Sequence, residues 1–222
     1  LPSFRAGVGG GFIFRMGTGA IPFLLPLMLQ VGFGKTPFQS GLITFATAVG
    51  AMSMKSVVGP VLRRFGYRNV LTWNSLIAAM LVAACALFTA TTPVVIMLAV
   101  LFAGGFFRSL EFTSATTIGF AEIEPARMSR ATSLAAVCQQ LSVSMGVALG
   151  ALTVELMRDF RHASVIGQID FAVAFLVVAG VSALSILVFV RMPADAGDEL
   201  TGKSITQAPG PAEAATGEPR NA

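Results

Sequence analysis

Six charged or strongly polar side chains fall inside long apolar stretches of this chain: Arg15, Lys55, Arg108, Glu111, Gln139 and Gln140. A charge at the centre of a bilayer costs about 3 kcal/mol or more, so such residues face a bundle interior, a water-filled cavity or a partner. The four charges sum to +2. An excess of positive charge suits anionic partners, or acids supplied from outside the chain. A carboxyl such as Glu111 can also titrate.

Their spacing limits what each can do. Arg108 and Glu111 are three residues apart and share one helix face. Either they form a self-neutralising pair that lowers the cost of burial, or Arg108 faces a cavity and Glu111 exchanges a proton. Arg15 lies roughly 15 Å along a helix from Arg5, near the midplane, which favours a cavity or interhelix position. Lys55 lies roughly 12 Å before Arg63. It either snorkels to the interface or takes part in a cavity or gate. Gln139 and Gln140 point about 100° apart, so one is expected to line a cavity and the other to bond a neighbouring helix.

Other chemistries lack their residues. The single histidine, His162, falls in a connection, which argues against metal catalysis and histidine-dependent acyl transfer. No GxSxG, phosphate-binding loop or metal-type cysteine pair occurs. Cys85 and Cys138 lie within apolar runs and read as buried small hydrophobes. No enzyme activity, metal or cofactor is expected.

The elements that position these residues are membrane helices. Charged residues make up 12% of the chain, about half the share of a soluble domain, and the mean hydropathy is +0.77. Six apolar runs, at 6–31, 40–62, 70–90, 94–118, 132–156 and 171–191, each approach or exceed the ~20 residues that cross a bilayer as a helix. They are continuously apolar rather than alternating, which argues for helices over a β-barrel. The polar residues occupy the first, second, fourth and fifth runs. The third and sixth carry no charge at their centres, and the sixth reads as a lipid-facing brace. The expected fold is an all-α integral membrane bundle of six helices over residues 1–192.

Charge asymmetry orients the bundle. Seven basic residues (Arg5, Arg63, Arg64, Arg68, Arg127, Arg130 and Arg191) fall on one side, against Lys35, Arg158 and Arg161 on the other. The richer side is expected to be cytoplasmic, with both ends of the chain. The basic pI belongs to this topology and not to nucleic-acid binding. Residues 193–222 hold four prolines, no aromatic residue and few large aliphatics, and are expected to be a disordered cytoplasmic tail. The chain begins at Leu1 with no signal-peptide pattern, and reads as an internal part of a longer protein.

Two runs have a special composition. The first holds Pro22 and Pro26 beside many glycines, which favours a kinked, cavity-lining helix. The fifth repeats Ser142, Gly146 and Gly150 at intervals of four, a stripe for close helix packing.

The segment Gly59-Pro60-Val61-Leu62-Arg63-Arg64-Phe65-Gly66-Tyr67-Arg68 resembles the GxLADrxGrk loop of the major facilitator superfamily. Gly59, Arg64, Gly66 and Arg68 match it, while Arg63 stands where the family often has an acid. Arg15 to Gln30, Gly105 to Thr113, and Ala131-Thr132-Ser133 followed by Gln139-Gln140-Leu141 resemble the C-terminal half of fourteen-span drug/proton antiporters. The resemblance covers about residues 4–192 and implies the last six helices of a major facilitator fold. It implies a proton-coupled multidrug efflux transporter of the bacterial inner membrane, working by alternating access.

The implied partners are amphipathic small-molecule substrates, protons, the lipid bilayer and the missing N-terminal half. In that fold the first, second, fourth and fifth helices of each half line the cavity, the same four runs that are polar here. Arg15, Arg108, Glu111 and Gln140 are then the expected substrate and proton pathway. Lys55 and Gln139 are further gate or cavity candidates, and Gly59 to Arg68 would shape the inner gate. Rival readings are a non-transport six-span scaffold and a major facilitator carrier with a narrow, non-drug substrate.

Overall fold

The computed structural model describes residues 6–121 and 123–192. The tail at 193–222 and Arg5 lie outside the described residues. Within them the chain is an all-α bundle. Five helical segments are long and apolar enough to cross a membrane, and a bent helix pair is so when taken together, which gives up to six crossings.

The first span, Gly7–Gly32, is interrupted. After a wide π-helical turn at Ala6–Gly10 come α1 (Gly11–Thr18), a break at Gly19 and Ala20, α2 (Ile21–Leu27) and a second wide turn at Met28–Gly32. Pro22 sits in the first turn of α2, where a missing N–H is tolerated. Pro26 sits inside α2 and cannot donate to the Pro22 carbonyl. Gly19 and Ala20 keep right-handed helical angles, so in place of the expected kink the span shows a locally opened hydrogen-bond ladder.

The second span begins at α3 (Pro37–Met54), with Pro37 at its first position. Thr36 Oγ1 accepts from the Gln39 N–H, and Gln39 Oε1 accepts from the Thr36 N–H, each at 3.2 Å. This reciprocal pair satisfies two of the donors that a helix start leaves open. The expected straight run over 40–62 is not formed. The chain breaks after Met54 and turns by 62° into α4 (Val58–Phe65). Pro60 explains the break, because it has no N–H to give the Ser56 carbonyl. The glycine-rich motif is therefore a short amphipathic helix rather than a loop. Gly66, at φ +74°, ends it in a conformation that side chains rarely adopt. Gly59 is helical and exposed, with nothing within 4 Å of a Cβ placed on it, so no crowding requires it.

The third to sixth spans are α5 (Tyr67–Cys85), α6 (Val94–Phe120), α7 (Met128–Phe160) and α8 (Gln168–Val190). The second span packs along the fourth, the third lies between the fourth and sixth, and the first lies between the fifth and sixth. The sixth is not simply a lipid-facing brace. Leu176, Leu184 and Leu187 are exposed, but Phe171, Phe175, Ser182, Ser185 and Phe189 are completely buried.

Glycines set the crossings. A Cβ on Gly50 would collide with the Phe102 carbonyl, and one on Gly105 with the Thr47 carbonyl, so the second and fourth spans touch backbone to backbone. A Cβ on Gly146 would collide with the Met16 carbonyl, and Gly150 packs on Ala20 and Leu24. The stripe of the fifth span is thus the seat of the first. Small residues of this kind let helices approach in lipid, where apolar burial gives little drive to associate.

Two apolar clusters lie toward opposite ends of the bundle. One includes Leu24, Leu29, Val82, Phe88, Met97 and Phe171. The other includes Met54, Leu62, Tyr67, Leu110, Ile118 and Phe189. At the first end, Arg161 Nε and Nη2 grip Asp170 Oδ1 and Oδ2 at 2.8 and 2.5 Å. Gln168 Nε2 also donates to the Phe88 carbonyl at 3.1 Å. The first pair closes the connection between the fifth and sixth spans, and the second bond ties it to the connection between the third and fourth.

The crossings can be tested by neighbouring substitutions in the full-length protein. Gly105→Val is expected to cost about 1–3 kcal/mol by overpacking, read as a lower thermal midpoint in detergent. Gly104→Ala, which meets nothing within 4 Å, is expected to be neutral or stabilising. Equal effects would contradict the close approach of the second and fourth spans.

Candidate functional site

The first, second, fourth and fifth spans enclose a cavity of about 310 Å3. Its polar lining comes from Arg15 and Thr18 of the first span, Arg108 and Ser109 of the fourth and Gln139 of the fifth. Phe14, Pro22, Phe112 and Val143 give it apolar and aromatic surface. Arg15 and Gln139 also line an adjoining cavity of about 180 Å3 with Thr116 and Thr132, so these two side chains stand between the two spaces.

Each polar group is held differently. Arg15 rises from α1, one turn before the break. Its Nη2 donates to Thr116 Oγ1 at 3.3 Å, and its guanidinium lies 4.5 Å from the centre of the Phe112 ring. Stacking on an aromatic face suits the flat, weakly hydrated guanidinium and would suit lysine less well. Its buried Nε has no hydrogen-bond partner. Arg108 is half-buried and, among the described residues, makes no salt bridge. Two cations thus share a wall that has no carboxylate. Such a wall can bind anions, stack aromatic groups, or meet acids from an opposing surface.

The structure corrects three expected placements. Glu111 does not line either cavity and is not paired with Arg108. It is completely buried toward the third span, where Asn74 Nδ2 donates to its Oε2 at 2.6 Å and Ser75 Oγ to its Oε1 at 2.8 Å. Three residues along a helix bring two side chains to one side, but they need not converge. Gln139, not Gln140, lines the cavities, and Gln140 is exposed. The 100° step between them decides this once α7 is seated on the first span by Gly146. Lys55 is exposed at the end of α3, beside the bend, rather than deep in a straight span. There its charge complements the negative end of the helix dipole.

Arg63 and Arg64 are exposed in the last turn of α4, with Arg64 5.7 Å from the Phe65 ring centre, and Arg68 is half-buried at the start of α5. These residues lie outside the cavity lining. Reasoning from charge overlooked Asn74, Ser75 and Ser185, which surround Glu111. The available signal was the presence of neutral polar residues at membrane depth in the two runs without charges. Cys85 is buried and Cys138 half-buried, and both thiols are free.

The lining can be checked by labelling. In a full-length variant with Cys85 and Cys138 replaced by alanine, Gln139→Cys is expected to be protected from a maleimide by a transported ligand. Gln140→Cys is expected to react equally with and without it. The reverse pattern would reassign the cavity face of the fifth span.

The Major Facilitator Superfamily profile matches residues 8–219 of this chain. Several relatives are each provisionally named multidrug resistance protein MdtD. The one from Serratia proteamaculans is 32% identical over 213 residues, 94% of this chain and 43% of the relative. That from Escherichia coli O6:H1 is 36% identical over 200 residues, 87% of this chain and 41% of the relative. That from Klebsiella pneumoniae strain 342 is 35% identical over 199 residues, 88% of this chain and 42% of the relative. The chain therefore spans about two fifths of the length of the relatives it matches. With its six-crossing helical bundle and a match over nearly its whole length, the chain belongs to the Major Facilitator Superfamily.

Proposed function

We propose that this chain is the C-terminal half of a proton-coupled exporter of amphipathic small molecules in the bacterial inner membrane, working by alternating access. The observation that carries this reading is the cavity between the first, second, fourth and fifth spans. A few polar groups, Arg15, Arg108 and Gln139, interrupt a wall that is otherwise apolar and aromatic. Such a wall suits solutes of varied shape that combine a charge with an apolar body. The multidrug resistance names of the relatives support the same substrate class.

The remaining parts belong to the same reading. An N-terminal half would supply the facing wall and acids opposite Arg15 and Arg108. The break at Gly19 and Ala20 lies directly beside the cavity and gives the first span a hinge. Alternation would rock the two halves around this midplane site. The arginine-rich side, with α4 and Lys55, would be cytoplasmic and form the inner gate, and both ends of the described bundle would lie there.

The two unpaired cavity arginines favour a second reading, a carrier with one narrow, anionic substrate. One assay separates the two. Efflux-deficient cells expressing the full-length protein are expected to accumulate less drug, and collapsing the proton gradient is expected to abolish the difference. Arg15→Ala and Arg108→Ala are each expected to weaken apparent affinity about tenfold or more, the effect of losing a charge-assisted contact of about 1.5–3 kcal/mol. Gln140→Ala should leave it unchanged. Unchanged export in both arginine variants would overturn the cavity assignment. An intact, inserted protein that lowers accumulation of no compound in a broad drug panel would favour the anion carrier.

A further inference from the structure

A second recess, of about 250 Å3, lies where α4, α5 and α6 meet, and it shares no lining residue with the cavities described above. Val61 and Phe65 of α4, Trp73 and Ile77 of α5, and Phe107 and Leu110 of α6 form its apolar walls. Asn69 also lines it, one turn nearer the start of α5 than Trp73. From Asn69 to Ile77 the lining extends about 12 Å along the helix.

The bend after Met54 creates this recess. By turning 62°, the second span lays α4 against α5 and α6 instead of continuing straight. Leu62 enters the apolar cluster with Met54 and Tyr67, while Val61 and Phe65, four residues apart on one face, edge the recess. The same short helix carries Arg63 and Arg64, both exposed, and Arg68 follows half-buried in the first turn of α5. The Arg64 guanidinium lies 5.7 Å from the centre of the Phe65 ring, so a cation stands directly over the apolar wall.

Nothing nearby offsets these charges. None of the three arginines makes a salt bridge among the described residues. Neither α4 nor the first turn of α5 contains an acid. At the position where the resembled motif often has an acid, this chain has Arg63, so the positive cluster is a departure of this sequence from that pattern.

Cationic head and apolar slot together select the occupant. A soluble anion would use the arginines and leave the slot empty, and a neutral lipid would use the slot without the arginines. The missing half would face the cavity between the first, second, fourth and fifth spans. The recess instead opens beside the outer face of the third span, where Trp73 is 64% and Phe65 56% exposed. A phospholipid with an anionic head supplies both complements from the surrounding bilayer, and basic clusters at a membrane surface attract such lipids. We infer that the recess between α4, α5 and α6 binds one anionic phospholipid, its phosphate held by Arg64 and Arg68 and one acyl chain lying along Trp73 toward Ile77. The inference needs the bundle in a membrane, but neither drug export nor proton coupling. A lipid seated there braces α4 against α5 and holds the bend of the second span.

Native mass spectrometry of the purified full-length protein, titrated with phosphatidylglycerol or with phosphatidylcholine of the same acyl chains, tests this. Wild type is expected to retain phosphatidylglycerol in preference to phosphatidylcholine. Losing a basic contact at a membrane surface weakens binding about fivefold, so the double variant Arg64→Gln, Arg68→Gln is expected to bind about 20–30-fold more weakly. The double variant Arg127→Gln, Arg130→Gln removes as much charge from the same end of the bundle and is expected to match wild type. A phosphatidylglycerol carrying a diazirine on its acyl chain is expected to label peptides containing Phe65, Trp73 or Phe107 in wild type, which locates the site even if a variant fails to fold. Equal retention of the two lipids, equal loss in both double variants, or label confined to other peptides overturns the inference. Displacement of the lipid by inorganic phosphate alone would also overturn it, since the slot would then contribute nothing.

Discussion

Close backbone approach between helices is the constraint on which the rest of this bundle depends. In lipid, apolar side chains gain little by leaving their surroundings, so association relies on packing and on buried polar contacts. At Gly50 and Gly105, at Gly146, and at Gly17, a neighbouring span occupies the space where a Cβ would be. These contacts fix the second span on the fourth and the first span between the fifth and sixth. The cavity is what remains between helices that touch at these points. Arg15, Arg108 and Gln139 converge on it because their helices are locked in rotation by glycines two to seven residues away.

The same close packing separates two kinds of polar environment. Arg15 and Arg108 border open space and have few internal partners. Glu111 is enclosed, and its oxygens are bonded by side chains of the third span. Glu111 and Arg108 lie three residues apart on the fourth span, yet the acid is enclosed and the cation borders the cavity. Arg15 lines both cavities. The interruption of the hydrogen-bond ladder after α1 lies within about one turn of this arginine, where the two environments meet.

Much of the architecture was legible in the chain. Apolar length and low charge required membrane helices, because unpaired backbone groups in hydrocarbon are too costly for other spanning forms. The polar residues of the first, fourth and fifth runs pointed to a cavity, and three of them do line it. Pro22, Pro26 and the Ser142-Gly146-Gly150 stripe announced the interruption and the close seat of the first span. The bend after Met54 was less visible, because the apolar run continues through Pro60 and conceals where the backbone stops being helical.

The sequence by itself determined the helical class and the apolar run in which each charge lies, since these follow from local hydropathy and helical rise, and its motifs carried the family. It did not determine direction. Whether Glu111 turned to Arg108 or to Asn74 and Ser75 depended on which helix packed on that face. Likewise, the choice between Gln139 and Gln140 depended on the rotation that Gly146 imposes on the fifth span. Those choices belong to contacts such as Ser75 with Glu111, 36 positions apart, and Met16 with Gly146, 130 apart, and only the packed bundle brings such residues together.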